Sequence, residues 1–210
     1  KLDWMSEESK AGALRKLDNL GAKVGYPDSW ETFLDNVDIR APGEGGTFFS
    51  NVAAIQLAGL AGVAALQGKE ADRSWWNGSV CSVSARYTAS NNDITLPAAF
   101  LQPPFYDVNA SREENLGGIG ETIAHEITHA IDNFGCCRDE YGNAVATEEN
   151  PYGWWTEEDY LAFVDRCEEV VAWYDGWETA PGLPCNGRMA LSENVADLGA
   201  LRCIMDCAAE

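Results

Sequence analysis

The chain has 210 residues, a formal net charge of −20 and 46% hydrophobic residues, which is enough apolar material for one or two domains. That charge excludes nucleic acid as a partner, because phosphates would be repelled, and it disfavours docking on an anionic membrane surface. For the most part, such an acidic balance describes a solvated surface.

From the N-terminus, residues 6–20 predict an amphipathic helix, with Ala13, Leu14, Leu17 and Leu20 on one face and Gly21 as its stop. No charged stretch followed by an apolar one opens the chain, so no signal peptide is expected. Gly25-Tyr26-Pro27 predicts a turn, and Ser29 is placed to cap a short helix reaching Val37. Residues 41–46, rich in Gly and Pro, predict a loop. Residues 52–66 are apolar apart from Gln56. They fall short of the ~20 residues that cross a bilayer, and predict a buried helix rather than a membrane segment. Turn chemistry surrounds Trp75-Trp76-Asn77-Gly78. Residues 80–88 and 94–96 then predict strands joined through Ser90-Asn91-Asn92-Asp93. Pro103-Pro104 predicts extended backbone.

Gly117, Gly118 and Gly120 lead into a predicted helix whose first turn holds Glu121, a charge that suits the helix dipole, and whose stop is Gly135. Inside it lies His125-Glu126-Ile127-Thr128-His129, which contains both histidines of the chain. Residues four apart in a helix stand one above the other, so the two imidazoles can hold one face of a zinc ion. Glu126, beside them, can take a proton from an attacking water. The plainer alternative is a core helix whose histidines only satisfy hydrogen bonds, but no other histidine in the chain suggests a composition that favours them. The third ligand must be a carboxylate or a cysteine. A third histidine in the metzincin manner is excluded, because Asp132 and Gly135 stand where that pattern needs Gly and His.

Thr156 is placed to cap a helix running to about Trp173, with Trp154, Trp155 and Phe163 as core, and residues 180–184 predict a loop. Residues 191–201 predict another helix, with Leu191, Val195, Leu198 and Leu201 as its apolar stripe and Ser192 as N-cap. Glu193 and Asp197 share one of its faces. One can bind a metal while the other accepts the outward N–H of a ligating histidine; ordinary solvated carboxylates are the bland alternative. Seven cysteines, an odd number with no C-x-x-C, predict buried free thiols rather than a zinc ribbon.

Several segments, in order, carry a resemblance over nearly the whole chain. They are Leu2-Asp3-Trp4-Met5, Gly25-Tyr26-Pro27, Asn92-Asp93-Ile94-Thr95-Leu96-Pro97-Ala98 and Leu101-Gln102-Pro103-Pro104-Phe105-Tyr106-Asp107. Gly117-Gly118-Ile119-Gly120, the histidine motif, Asn186-Gly187 and Ser192-Glu193-Asn194-Val195-Ala196-Asp197-Leu198-Gly199 complete the set. The chain resembles the catalytic region of the neprilysin and endothelin-converting-enzyme family of zinc endopeptidases. The resemblance implies one zinc per chain on His125, His129 and Glu193, with Glu126 as general base and Asp197 orienting a ligand histidine, expected to be His125. It implies a peptide substrate gripped by an edge strand, where Ser84-Ala85 matches the family's Asn-Ala pair. Serine is shorter than asparagine and lacks the amide's two donors.

Family members are several times longer, with a helical domain ahead of the core. Beyond the Glu-x-x-x-Asp helix they carry a histidine and an arginine that this chain, ending at Glu210, does not show. The expectation is therefore an α+β, mainly helical, zincin-like core with a small sheet whose edge strand flanks the zinc helix. Residues 1–78 would be a lead-in from the family's N-terminal domain, and 79–210 a catalytic domain incomplete at its C-terminus. A zinc metalloendopeptidase is the first reading. A zinc-binding but catalytically weak or silent fragment acting as an interaction module is the second; besides a peptide substrate, the missing remainder of a parent protein is the other partner to expect. Family members include membrane-anchored outer-surface enzymes and soluble bacterial ones, so the compartment stays open.

Overall fold

The computed structural model describes residues 2–30, 35 and 37–210, so the short helix expected between Ser29 and Val37 falls largely outside the described residues. The Ser6 hydroxyl accepts from the Ser9 amide and starts helix α1 (Glu7–Asp18), with acids in its first turn and Arg15 and Lys16 in its last. Ser6 also donates from its amide and hydroxyl to Asp159, and the Thr156 amide donates to the Ser9 hydroxyl at 3.0 Å. These bonds fasten α1 to the start of a helix about 150 residues further along the chain.

Strand β1 (Gly21–Gly25) comes directly after α1. Its Gly/Ala/Lys/Val sequence has no strong alternation to predict it. Within one compact unit, formed by Lys1–Tyr26 and Trp76–Glu210, it pairs in parallel with β3, so the sheet draws a strand from ahead of residue 78. Pro27–Trp75 is a second unit, holding α2 (Phe48–Ala64), which Thr47 caps. The helix is present where an apolar run predicts one, but no residue of it is buried, contrary to expectation. Among the described residues no helix is long and apolar enough to cross a membrane.

Strand β2 (Arg86–Thr88) runs antiparallel to β3 (Asp93–Pro97), with Arg86 opposite Thr95, and the sheet order β1-β3-β2 leaves β2 at an edge. The predicted strand over 80–88 is thus confined to its last three residues. All five residues of β3 are buried; its Asp93 is paired with Lys23 at 2.5 Å. Leu96 and Phe100 pack with Ile119 into the core under the histidine helix. The Pro103-Pro104 peptide between them is cis and lies in a turn rather than in extended backbone.

Ser111 caps α3 (Arg112–Asn115), and the chain stays helical through a π turn (Leu116–Gly120) into α4 (Glu121–Thr128). The glycines expected ahead of the helix are therefore inside it. Gly118 is required there because a Cβ would lie 2.5 Å from the Phe105 carbonyl oxygen, which accepts the Ile119 amide at 2.8 Å. A π turn adds a residue to the helical repeat and re-aims the next turn, a device common beside functional sites.

Thr156 caps α5 (Glu157–Asp175) as predicted. Trp155 packs with Met5 and Cys136, flanked by Trp4, Trp154 and Phe163, so these tryptophans are core. A short hairpin, β4 (Glu178–Ala180) and β5 (Leu183–Pro184), occupies the stretch predicted as a loop. Last comes α6 (Leu191–Ala208), lying on α4. The two helices meet through small residues: Ala196 and Ala200 are fully buried, and a Cβ on Gly199 would stand 2.5 Å from the Thr128 methyl. All seven cysteines are free, but only Cys136 and Cys167 are buried, which corrects the expectation of buried thiols.

Candidate metal centre

Close packing of α4 on α6 brings the two halves of the site together. His125 lies in the last turn of α4 and His129 is its C-cap, with helical backbone and its amide bonded to the His125 carbonyl. Their rings meet edge to face with centroids 4.6 Å apart. The two Nε2 atoms are 3.0 Å apart, and the Glu193 Oε2 lies 3.3 Å from His125 Nε2 and 3.6 Å from His129 Nε2. Three atoms on a tetrahedral zinc, each about 2.0–2.1 Å from it, stand about 3.3–3.4 Å from one another. The observed triangle has that size.

The opposite ring nitrogens explain why these three atoms face one point. His125 Nδ1 lies 2.8 Å from Asp197 Oδ1, and His129 Nδ1 lies 2.7 Å from Asp132 Oδ2. A carboxylate accepts only, so each Nδ1 carries the proton and each Nε2 lone pair points inward. Two lone pairs and a carboxylate oxygen converging at this range repel unless a cation sits between them. The donor set therefore fits a zinc ion. Glu121 also comes near His125 and Asp197, and these three form a second group of candidate ligands.

Asp132 is the member that sequence reasoning missed. It is 1% exposed, and besides His129 it accepts the Phe134 and Gly135 amides at 2.7 Å each and the Ser192 hydroxyl. Burial alone would raise its pKa; these bonds outweigh burial and hold the carboxyl below its ordinary value. Burial likewise works to lower His129, but the bond and charge of Asp132 prevail and its pKa is raised. A signal was present, since Asp132 stands three residues past His129, on the adjacent turn. Ser192 also departs from expectation: α6 starts at Leu191 with Ala190 as cap, and the Ser192 hydroxyl serves Asp132.

Glu126 is buried, and desolvation raises its carboxyl pKa against the charges of His129 and His125, which act to lower it. The backbone of Tyr87, on edge strand β2, also acts to lower it. A cavity of about 230 Å³ opens beside His129 and Glu193, lined also by Tyr87, Ala89, Phe134 and Ser192. Ser84 is exposed just outside β2, its hydroxyl donating to the Ala85 carbonyl at 3.1 Å, and Ala85 packs against the Leu96 cluster. The structure thus joins His125, His129, Glu193, Asp197 and Glu126 in one place. It sets Ser84 and Ala85 just ahead of the strand that carries Tyr87.

Comparison with known proteins adds an independent line. The family model for peptidase family M13 matches residues 84–208. A neutral endopeptidase of Lactococcus lactis subsp. cremoris is 35% identical over 208 residues, covering 99% of this chain and 31% of the relative. The crystal structure of PepO from Lactobacillus rhamnosis HN001 superposes with a TM-score of 0.86 at 35% identity, over 96% of this chain and 30% of that one. The crystal structure of the Mycobacterium tuberculosis zinc metalloprotease Zmp1 in complex with an inhibitor superposes with a TM-score of 0.85 at 33% identity, over 98% and 30%. This chain spans about a third of the length of each.

Proposed function

The chain belongs to peptidase family M13, and from that premise we propose that it carries the core of a zinc-dependent metalloendopeptidase that hydrolyses peptide bonds of oligopeptides. The observation that carries the reading is the triangle of His125 Nε2, His129 Nε2 and Glu193 Oε2, with sides of 3.0, 3.3 and 3.6 Å, set beside a buried Glu126. These three residues would hold one zinc ion. When bound, it supplies Lewis acidity, making water a nucleophile near neutral pH and polarising the scissile carbonyl.

The remaining work falls to side chains and backbone. Glu126 takes the proton of the attacking water and gives it to the leaving amine, and its raised pKa suits a group that must hold a proton between the two events. Asp197 and Asp132 fix the tautomers of His125 and His129. Strand β2 presents an extended peptide with an edge to pair with, while the cavity at Phe134 accepts a substrate side chain.

The test pairs zinc titration with cleavage of an internally quenched peptide. One zinc per chain is expected, and Glu126→Gln should retain it while losing about 100- to 10,000-fold in rate. A Glu126→Gln variant cleaving at the parent rate overturns the assignment of the base. Zinc bound without cleavage by the parent would favour the silent interaction module. One observation favours that second reading: at the position matched to the family's asparagine, the short Ser84 side chain is turned onto its neighbour's carbonyl.

A further inference from the structure

Cys136 and Cys137 come directly after the segment that holds Asp132, and nothing in the proposed hydrolysis uses them. Their sulfurs are 3.9 Å apart, Cys136 buried and Cys137 exposed. Around them stand Lys16, whose ammonium donates to the Gly135 and Arg138 carbonyls, and Arg138 itself. An exposed sulfur beside two cations, with a thiol donor at its side, is the arrangement that makes a cysteine nucleophilic. The Cys136 S–H and the nearby cations lower the Cys137 pKa, while that of Cys136 is raised, by its bond to Cys137 first and by burial second.

We propose that Cys136 and Cys137 form a two-thiol modification site for peroxide-class oxidants, and that closing it loosens the turn that grips Asp132. The Cys137 thiolate attacks one oxygen of hydrogen peroxide; the O–O bond breaks, and the departing hydroxide becomes water on taking a proton. The Cys136 sulfur then attacks Cys137, its proton leaves with the sulfenic hydroxyl as a second water, and an S–S bond remains. Two thiols lose two electrons, and one peroxide becomes two waters.

Geometry supplies the consequence. An S–S bond is about 2.05 Å long, so sulfurs now 3.9 Å apart must approach by nearly half that distance. Adjacent cysteines share one peptide unit, so the backbone of the 3₁₀ turn Gly135–Cys137 has to absorb the movement. That turn is clamped on every side. The Gly135 and Phe134 amides bond Asp132 Oδ1, the Cys136 amide bonds the Asp132 carbonyl at 2.9 Å, and the Gly135 carbonyl holds Lys16. A Cβ on Gly135 would run into the His129 carbonyl, so the turn has no slack toward the helix end.

Stoichiometric hydrogen peroxide on the metal-free 210-residue chain, followed by N-ethylmaleimide and peptide mapping, tests both halves without relying on the zinc reading. The peptide spanning residues 113–138 should lose two hydrogens and resist alkylation, while the exposed Cys81, Cys203 and Cys207 are still alkylated. Amide exchange at Phe134, Gly135 and Cys136 should quicken about tenfold or more on oxidation. Cys136→Ser should instead gain oxygen at residue 137, and Cys137→Ser should leave residue 136 reduced. Oxidation spread evenly over the exposed thiols would overturn the site, and a disulfide formed with exchange unchanged would overturn its link to Asp132.

Discussion

Asp132→Asn isolates one assumption of the metal centre, that the proton on His129 sits on Nδ1. The substitution keeps the shape of a side chain that is 1% exposed and replaces one carboxylate oxygen with NH₂. If the amide nitrogen takes the Oδ2 position, it meets the Nδ1–H of His129 at 2.7 Å, donor against donor. The imidazole must then move its proton to Nε2 or swing away, and either change removes the lone pair from the metal. If the amide is flipped, its nitrogen meets the Phe134 and Gly135 amides, which now approach Oδ1 at 2.7 Å. No orientation satisfies all partners. Loss of such an orienting group costs about 10- to 100-fold in metal affinity, or about 1.4 to 2.7 kcal/mol. The metal-free protein should also lose about 1.5–3 kcal/mol for the bond to the former charge that the amide cannot make. Zinc affinity is read by competition with a chromogenic chelator, and stability by urea unfolding with and without zinc. A variant binding zinc within twofold of the parent would refute the tautomer reasoning, whatever its stability.

Other outcomes rest on the same packing. His129→Ala should abolish stoichiometric zinc by metal analysis while α4 survives by circular dichroism, because His129 closes the helix rather than filling its core. Gly199→Ala should gain about 1 kcal/mol of helix propensity but lose about 1–3 kcal/mol to the clash with Thr128. Net destabilisation in urea is expected, and a stabilised variant would contradict the close approach of the helices. Lys16 is 1% exposed, and burial lowers its pKa to about 8. The unfolded chain holds that proton up to about 10.4, so unfolding takes up a proton between these values and stability rises with pH across the window. Relative to Lys16→Met, the parent should gain up to about 3 kcal/mol between pH 8 and 10.4, and a flat difference would count against the buried cation.

His125, His129, Glu193 and Asp197 were legible because each pair lies within one helix, where 3.6 residues per turn converts spacing directly into direction. That Glu193 should reach the histidines was legible only through resemblance, since the approach of α6 depends on the buried small residues Ala196 and Ala200 and on Gly199 lying against Thr128. Small residues on a helix face look unremarkable until their partner is known. β1 was missed for a related reason: its pattern is weak, and it becomes a strand by pairing with the fully buried β3. Ser192 looked like an N-cap because serine commonly is one. Its hydroxyl instead answers the unmet demand of Asp132, a partner 60 residues away.

The burial of the groups around the proposed metal centre divides their labour. Asp132 is sealed and bonded on both oxygens, whereas the Glu193 and Asp197 side chains are 66% and 59% exposed on the face of α6. His129 is therefore held by a preorganised acceptor, while Glu193 keeps freedom that a bound cation would remove. Zinc binding should accordingly stabilise the chain chiefly by fastening α6 to α4, with a gain that grows as RT ln(1 + [Zn]/Kd). The hydrogen-bonded turn after His129 should change less. Amide exchange in α6 from Leu191 onward ought then to slow on adding zinc far more than exchange at Phe134 and Gly135. Equal slowing in both places would mean that the centre is rigid before the metal arrives.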